Sequence, residues 1–416
     1  MKYGPLVNYT EKILYMIIKN IKELATCAGN IVTDAAILID DEKIVAVGKN
    51  SEMSSRKGDQ IIDAFGMIAL PGFVDCHTHA VFGGSRAAEY DAKLRGMSYA
   101  EVQKRGGGIL YTVEQTRKAS EDELYEGAKM RLREMLLCGT TTIEIKSGYG
   151  LSTVEEIKIL RVVKRLELSE PQDIIATFLG AHTVPREFKN AREVYIDLVI
   201  HEMLPRVAKE KLAECADVFC DPLGFTPEET EKIFTEALRL GFKLHIHGEQ
   251  TTHFGGAKVA AKFGAVSLDH GDYLDDDDIS LLKNSGTTVV LLPGVLIHCM
   301  DWGKTKLAET VVKLKAAGVP IAFATDYNPG SAPILSMKLV MDLGMRLFKM
   351  GVMECLGAST IIPAKVLGRE KSVGSIESGK QADILLIKAH STEDYLYQIG
   401  DRRFDYIIKK GKVVSL

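Results

Sequence analysis

Residues 68–86 read "IALPGFVDCHTHAVFGGSR", an apolar run that ends in two histidines one residue apart and then turns through two glycines, a serine and an arginine. Alternate side chains of an extended segment share a face, so His77 and His79 point one way and Cys76 the other. Two imidazoles projecting together from the end of a buried strand can chelate a single ion. The stretch therefore predicts a fold in which strand ends converge on one point.

Seven further apolar runs fit that fold: "TTTIEIKS" (140–147), "IIATFLGAH" (174–182), "ADVFCD" (216–221), "KLHIHG" (243–248), "AVSLDH" (265–270), "TTVVLLPG" (287–294) and "PIAFATD" (320–326). Short continuous runs of this kind suit strands buried on both faces. Helical patterns lie between them at 120–139, 152–168, 226–241 and 309–318. The first and third place Ser120 or Thr226 before an acidic first turn and end on glycine, which are helix start and stop signals. The alternation predicts an α/β chain whose centre, 67–365, is a (β/α)8 TIM-like barrel rather than an open doubly wound sheet. No Gly-x-Gly-x-x-Gly opens a helix after a strand, which counts against a dinucleotide-binding fold.

The two ends differ from this middle. Residues 1–66 and 366–416 read as short strands separated by polar or glycine-rich turns, which predicts one small β-domain assembled from both termini. Of 416 residues, 46% are hydrophobic and 26% charged, and the formal net charge of -4 supplies no basic field for nucleic acid. Seven scattered cysteines with no C-x-x-C pair suit a reducing cytosol. The run "ILYMII" (13–18) is too short to span a bilayer and lacks a signal-peptide cleavage site, so a soluble cytoplasmic protein is expected.

Chemistry in such a barrel sits at the carboxyl ends of its strands. Here those ends carry, in chain order, His77 and His79; Lys146, Ser147 and Tyr149; His182; Asp221; His247 with Glu249 and Gln250; Asp269 and His270; Pro293 and Gly294; and Asp326 with Asn328. Five of the ten histidines fall there. His77, His79, His247 and Asp326 are expected to form a mononuclear metal site with three nitrogens and one carboxylate oxygen. Neutral imidazoles and a carboxylate suit zinc or iron, and the lack of cysteine argues against a structural thiolate site. A position left to water would make the site catalytic. Plainer readings apply elsewhere. His245 is expected in the core, His201, His253, His298 and His390 as surface or packing, Asp221 as a loop anchor, and the acidic run 275–278 as a solvated helix start. Lys146 shows no dedicated pattern for a carbamylated bridging lysine.

"LPGFVDCHTHAVFGGSR", "GGGIL", "TTTIEIKSGYGL", "GAHTVP", "HIHGEQ", "SLDH", "VVLLPG" and "ATDYNPGSAP" together resemble the imidazolonepropionase family of the amidohydrolase superfamily, over nearly the whole chain. "PGFVDCHTH" marks only the superfamily, whereas "FGGSR", "KSGYGL" and "TDYNPGS" narrow the resemblance to that family. It implies hydrolysis of the ring C–N bond of 4-imidazolone-5-propanoate to N-formimidoyl-L-glutamate in L-histidine degradation. It also implies a barrel flanked by a β-sandwich from both termini, one zinc or iron ion per subunit, and a homodimer with no nucleic-acid or membrane partner. By motif, the metal ligands are again His77, His79, His247 and Asp326. Substrate contacts would be Arg86, Tyr149, His182, Asn328, Gly330 and Ser331, with Tyr99 of "MSY" a further candidate.

One motif departs from the family pattern. Where "HADE" is common, this chain reads "HGEQ", placing Gln250 at the usual glutamate and Glu249 one residue earlier. Glutamine can hydrogen-bond a substrate ring but cannot accept a proton as a base. Either Glu249 substitutes, or no carboxylate is needed there. Asp326 is expected to carry the proton from water to the leaving nitrogen, His270 to stabilise the developing oxyanion, and Arg86 to hold an anionic group, assisted by backbone N–H groups of the "NPGS" turn. Another cyclic-amide hydrolase or a heteroaromatic deaminase would share the same four ligands, and a non-catalytic scaffold would be expected to lose them.

Overall fold

Gly72 divides the first apolar run between two sheets. In the computed structural model, which describes residues 15–55, 58–97, 107–301 and 303–414, a Cβ at this position would lie 2.1 Å from Thr141 Oγ1. Only glycine lets the backbone pass so close. The segment 1–12 and the motif residue Tyr99 lie outside the described residues.

Before Gly72 come β1 (Met16–Leu24), β2 (Val32–Asp40), β3 (Lys43–Lys49), β4 (Gln60–Asp63) and β5 (Met67–Pro71). After it come β6 (Phe73–Asp75), β7 (Thr140–Lys146), β8 (Asp173–Ala181), β9 (Cys215–Cys220), β10 (Lys243–Gly248), β11 (Ser267–His270), β12 (Thr288–Leu291) and β13 (Ile321–Phe323). The chain finishes with β14 (Ile384–Lys388), β15 (Tyr406–Lys409) and β16 (Lys412–Val413). Strands β6 to β13 pair in sequence order as the parallel barrel, and all eight expected runs contribute to it. Strands β14 to β16 return to β5 and join the first five in a mixed sheet ordered β16-β15-β14-β5-β1-β2-β3, with β4 on β1. Met67–Pro71, read from sequence as part of the first barrel run, pairs with β14 and β1 of this terminal sheet instead.

A bulge between Ile18 and Ile21 explains how the terminal sheet turns into a sandwich. Ahead of it β1 pairs with β4, and beyond it with β5. Strands that change partners at a bulge form the corners of sandwiches. The alternation of β5 and β14 then serves two cores. Ile68, Leu70, Leu385 and Ile387 join the cluster that contains Phe73 of the barrel, while Met67, Ala69, Ile384 and Leu386 join the sandwich cluster.

Barrel closure falls on the residues of the opening motif. Asp326 N–H donates to His77 O at 3.0 Å, His79 N–H donates to Tyr327 O at 2.9 Å, and Thr78 bridges Tyr327 in parallel. Below that seam the carboxylate of Asp75 accepts the Thr325 N–H at 3.1 Å and the Thr325 hydroxyl at 2.6 Å. Helices start where the sequence indicates: Ser120 with Glu123, and Thr226 with Glu229, form reciprocal capping boxes. The acidic run also starts a helix, Asp276–Ser285, but Asp278 is fully buried rather than solvated, 2.9 Å from His253 Nε2.

Candidate active site

At the carboxyl ends of the barrel strands a cavity of about 760 Å³ is lined by His79, Arg86, Tyr149, His182, His247, Gln250, His270, Asp326, Asn328, Gly330 and Ser331. His77 lies directly beneath. Ring nitrogens of His77, His79 and His247 come within 4.8 Å of one another, and ligand atoms of His77, His270 and Asp326 do likewise. Asp326 Oδ1 is 3.3 Å from His77 Nε2 and 3.5 Å from His79 Nε2. The structure thus gathers His77, His79 and His247, sets Asp326 against His77 and His79, and brings His270 within reach of His77 and Asp326.

Acidic partners grip two of these rings from behind. His77 Nδ1 donates to Asp269 Oδ2 at 2.6 Å, and His247 Nδ1 stands 3.0 Å from Asp217 Oδ2. Such partners fix the tautomer and turn the Nε2 lone pair toward an ion. His77 Nε2 and His247 Nε2 are buried with no hydrogen-bond partner among the described residues. Buried polar atoms are rarely left so, and two orphaned imidazole nitrogens beside a carboxylate fit a metal ion.

Lys146 balances the charge below. Its Nζ is 2.9 Å from Glu144 Oε2, 2.8 Å from Asp217 Oδ2 and 3.3 Å from Asp269 Oδ2, and all four side chains are 0% exposed. Its three carboxylate partners give it the place of a counter-ion. Although burial opposes it, Asp217, Glu144 and Asp269 hold the Lys146 ammonium well above its usual range. Against its own burial, His247 and Lys146 hold the Asp217 carboxyl well below the carboxylate range. Burial pushes Asp326 up to about 7, and lowers His270 and His182 to about 3, with His247 adding to the effect on both. Burial thus favours the neutral imidazole, the state a metal ligand requires, at His77, His79, His182 and His270, whereas Asp217 raises His247 against its burial. Asp217 and Glu144 were not named among the strand-end residues, and Asp269 was named there without a role. The legible signal was a charge inside an apolar strand: in "ADVFCD", Asp217 shares its face with Phe219.

Backbone strain accumulates at the same level. Glu249, His270 and Asp326, just at or beyond the ends of β10, β11 and β13, have φ of 53°, 78° and 50°. Non-glycine residues in the left-handed region cost of order 1–3 kcal/mol and persist where surroundings over-determine them.

Other expected residues sort clearly. His182 stacks on His79 with centroids 5.1 Å apart, and its Nδ1 donates to Gly148 O at 3.1 Å. Tyr149 packs beside both rings, and burial keeps its phenol protonated. Gln250 faces the cavity, but Glu249 does not. The Glu249 carboxylate accepts N–H groups of Phe254, Gly255 and Ala257 at 2.6, 3.0 and 3.0 Å, capping the helix Gly256–Phe263. The alternative in which Glu249 replaces the usual base fails on this placement. The "NPGS" amides need a second correction: Gly330 and Ser331 N–H both donate to Asn328 Oδ1 at 2.8 Å, so the turn is closed on itself rather than open to an anion. Its role toward Arg86 is steric, since a Cβ at Gly330 would sit 1.8 Å from the guanidinium Nη1. His298, read as surface or packing, lines the cavity and stacks on Tyr90 at 4.0 Å. His245 is core as expected, bonded through Nδ1 to Ser267 Oγ at 2.8 Å. Asp221 anchors a loop, accepting the Thr251 N–H and hydroxyl and the Leu223 N–H.

A barrel flanked by a terminal β-sandwich, with imidazoles and a carboxylate gathered at its mouth, defines a metal-dependent hydrolase of the amidohydrolase class, and the sequence profile of the amidohydrolase family matches residues 68–414. Among solved structures, a triazine hydrolase variant superposes with a TM-score of 0.72 at 20% identity, covering 96% of this chain and 94% of that one. A Xaa-Pro dipeptidase gives 0.71 at 19% identity, over 96% and 99% of the two chains. These likenesses establish the fold. An imidazolonepropionase of Thermoanaerobacter pseudethanolicus is 43% identical over 406 residues, 95% of this chain and 96% of the relative. One of Pseudomonas syringae pv. tomato is 40% identical over 397 residues, 95% and 98% of the two chains. The chain belongs to the imidazolonepropionases of the amidohydrolase family.

Proposed function

We propose that this protein hydrolyses the ring C–N bond of 4-imidazolone-5-propanoate to N-formimidoyl-L-glutamate, a step in histidine degradation. The observation that carries the reading is the pairing, across one cavity, of clustered imidazoles and the Asp326 carboxylate with an arginine-bearing rim. Such a cavity suits a small cyclic amide with an anionic tail. His77, His79, His247 and Asp326 would hold one zinc or iron ion, which when bound would supply Lewis-acid polarisation of water and carbonyl near neutral pH.

This chain's own residues do the rest. Asp326 accepts a proton from the attacking water and returns it to the leaving ring nitrogen. His270 hydrogen-bonds the carbonyl oxygen as negative charge develops there. Gln250 orients the ring through its amide, and no base is required at that position. Tyr149 and His182 pack the wall, and Arg86 holds the propanoate with its planar donor edge. Asn328 and Ser331 shape the turn that Arg86 rests on.

The test is turnover of freshly generated 4-imidazolone-5-propanoate by purified protein, with metal content measured on the same sample. Product formation tied to one ion per chain supports the proposal. Stoichiometric metal without turnover of this substrate, but with hydrolysis of another cyclic amide or deamination of a heteroaromatic base, would overturn it.

A further inference from the structure

Arg86 does not stand alone at the rim. The helix Ala87–Leu94 begins beside it, and Glu89 and Lys93, three and seven residues on, fall on the same face. Glu89 Oε2 accepts from Arg86 Nε at 3.0 Å and Glu89 Oε1 from Arg86 Nη2 at 2.7 Å, a side-on bidentate pair. The same carboxylate is 2.8 Å from Lys93 Nζ and accepts the Gly108 N–H at 2.8 Å. Two cations that would repel each other are thus pinned to one anion. Although burial opposes it, Arg86, Lys93 and the Gly108 N–H hold the Glu89 carboxyl down at about 2.

We infer that Glu89 is a positioning residue that presets Arg86 for the substrate's carboxylate. Side-on pairing consumes Nε and one edge of Nη2, and leaves Nη1 on the side of Gly330, whose missing Cβ makes room for it. Held by Glu89 on one edge and seated against Gly330 on the other, the guanidinium is ordered before substrate arrives. Ordering a rotamer-rich side chain in advance spares that cost on binding. The rim keeps a net charge of about +1, counted from Arg86, Lys93 and Glu89, and so still attracts an anion. This role rests on the reading of Arg86 as the carboxylate clamp.

The test is a binding titration on metal-loaded, full-length protein with two probes, imidazole-4-propanoate and imidazole-4-propanamide, in wild type, Glu89→Gln, Glu89→Asp and Arg86→Ala, with melting curves confirming the fold. Wild type should prefer the propanoate by about tenfold or more. Glu89→Gln should weaken propanoate binding about tenfold and propanamide binding much less, with KM for substrate rising more than kcat falls. Glu89→Asp, which keeps the charge, should recover part of the preference. Unchanged or tighter propanoate binding in Glu89→Gln would mean that the removed negative charge outweighs the lost order, and would overturn the positioning role. Arg86→Ala separates the two ideas. If the preference for propanoate survives it, the anion is held elsewhere and the clamp reading falls. If the preference is lost there but kept in Glu89→Gln, only the role of Glu89 falls.

Discussion

Beneath the cavity, Lys146, Glu144, Asp217 and Asp269 have no exposed side-chain surface, whereas at its mouth Arg86, Glu89 and Lys93 expose 12%, 11% and 26% of theirs. The floor is one cation shared among three carboxylates, and the rim is two cations on one carboxylate. Their surroundings give them different work. In the enclosed floor the effective dielectric is low, so each charge depends on its partners and the geometry is held rigidly. At the rim the side chains are partly exposed, so the guanidinium that Glu89 holds in place stays open to an incoming anion. Under the proposed function, the floor would hold an ion's ligands in place and the rim would receive substrate.

That contrast is open to breakage, most severely at the ligand shared by both tasks. Asp326→Asn should lower kcat by about 10²–10⁴-fold in steady-state assays, and near-normal turnover would remove Asp326 as proton carrier. Lys146→Met leaves Asp217 and Asp269 uncompensated, so denaturant unfolding should show a loss of roughly 3–5 kcal/mol. Asp269→Asn should weaken metal binding about 10–100-fold in competition with a chelator while the fold persists, because only the orientation of His77 is released. Rim changes should be milder. Arg86→Ala should raise KM by about tenfold or somewhat more, the value of a charge-assisted hydrogen bond, with metal content unaltered. Gln250→Ala should be the smallest, a KM rise of about threefold to tenfold from one neutral hydrogen bond, again with metal retained. A floor substitution that moved only KM, or a rim substitution that stripped the metal, would dissolve the distinction.

The floor was half legible. Alternation around "HTH" and "HIH" was enough to aim His77, His79 and His247 inward, because period-two geometry needs only local sequence. The carboxylates that orient them come from other strands: Asp269 is 192 residues from His77, and no spacing along the chain announces that pairing. Glu249 shows the opposite error. By sequence it stood beside Gln250 as a possible base, yet the left-handed φ of 53° turns the chain there and sends its carboxylate to a helix amino terminus. The "NPGS" turn likewise looked open to an anion until Asn328 Oδ1 was found occupying both amides.

At the rim, "FGGSR" identified Arg86, but no helical pattern was read in the segment after it, which folds as the helix Ala87–Leu94. Its partner Glu89 and the neighbouring His298 gain meaning only once the loops after β6, β12 and β13 are folded over the same opening. Gly72 belongs with them. In sequence it interrupts nothing, and only the approach of Thr141 shows why the strand must change sheets there.

From the amino-acid order alone came the eight-strand alternation, the two-ended β-domain and the four candidate ligands, since periodicity and strand-end polarity are local properties of the chain. Which carboxylate meets which imidazole, which acid is withdrawn into a cap and which turn is closed were decided by the tertiary structure. Those outcomes depend on contacts between segments far apart in the chain, where burial and geometry outweigh any local preference.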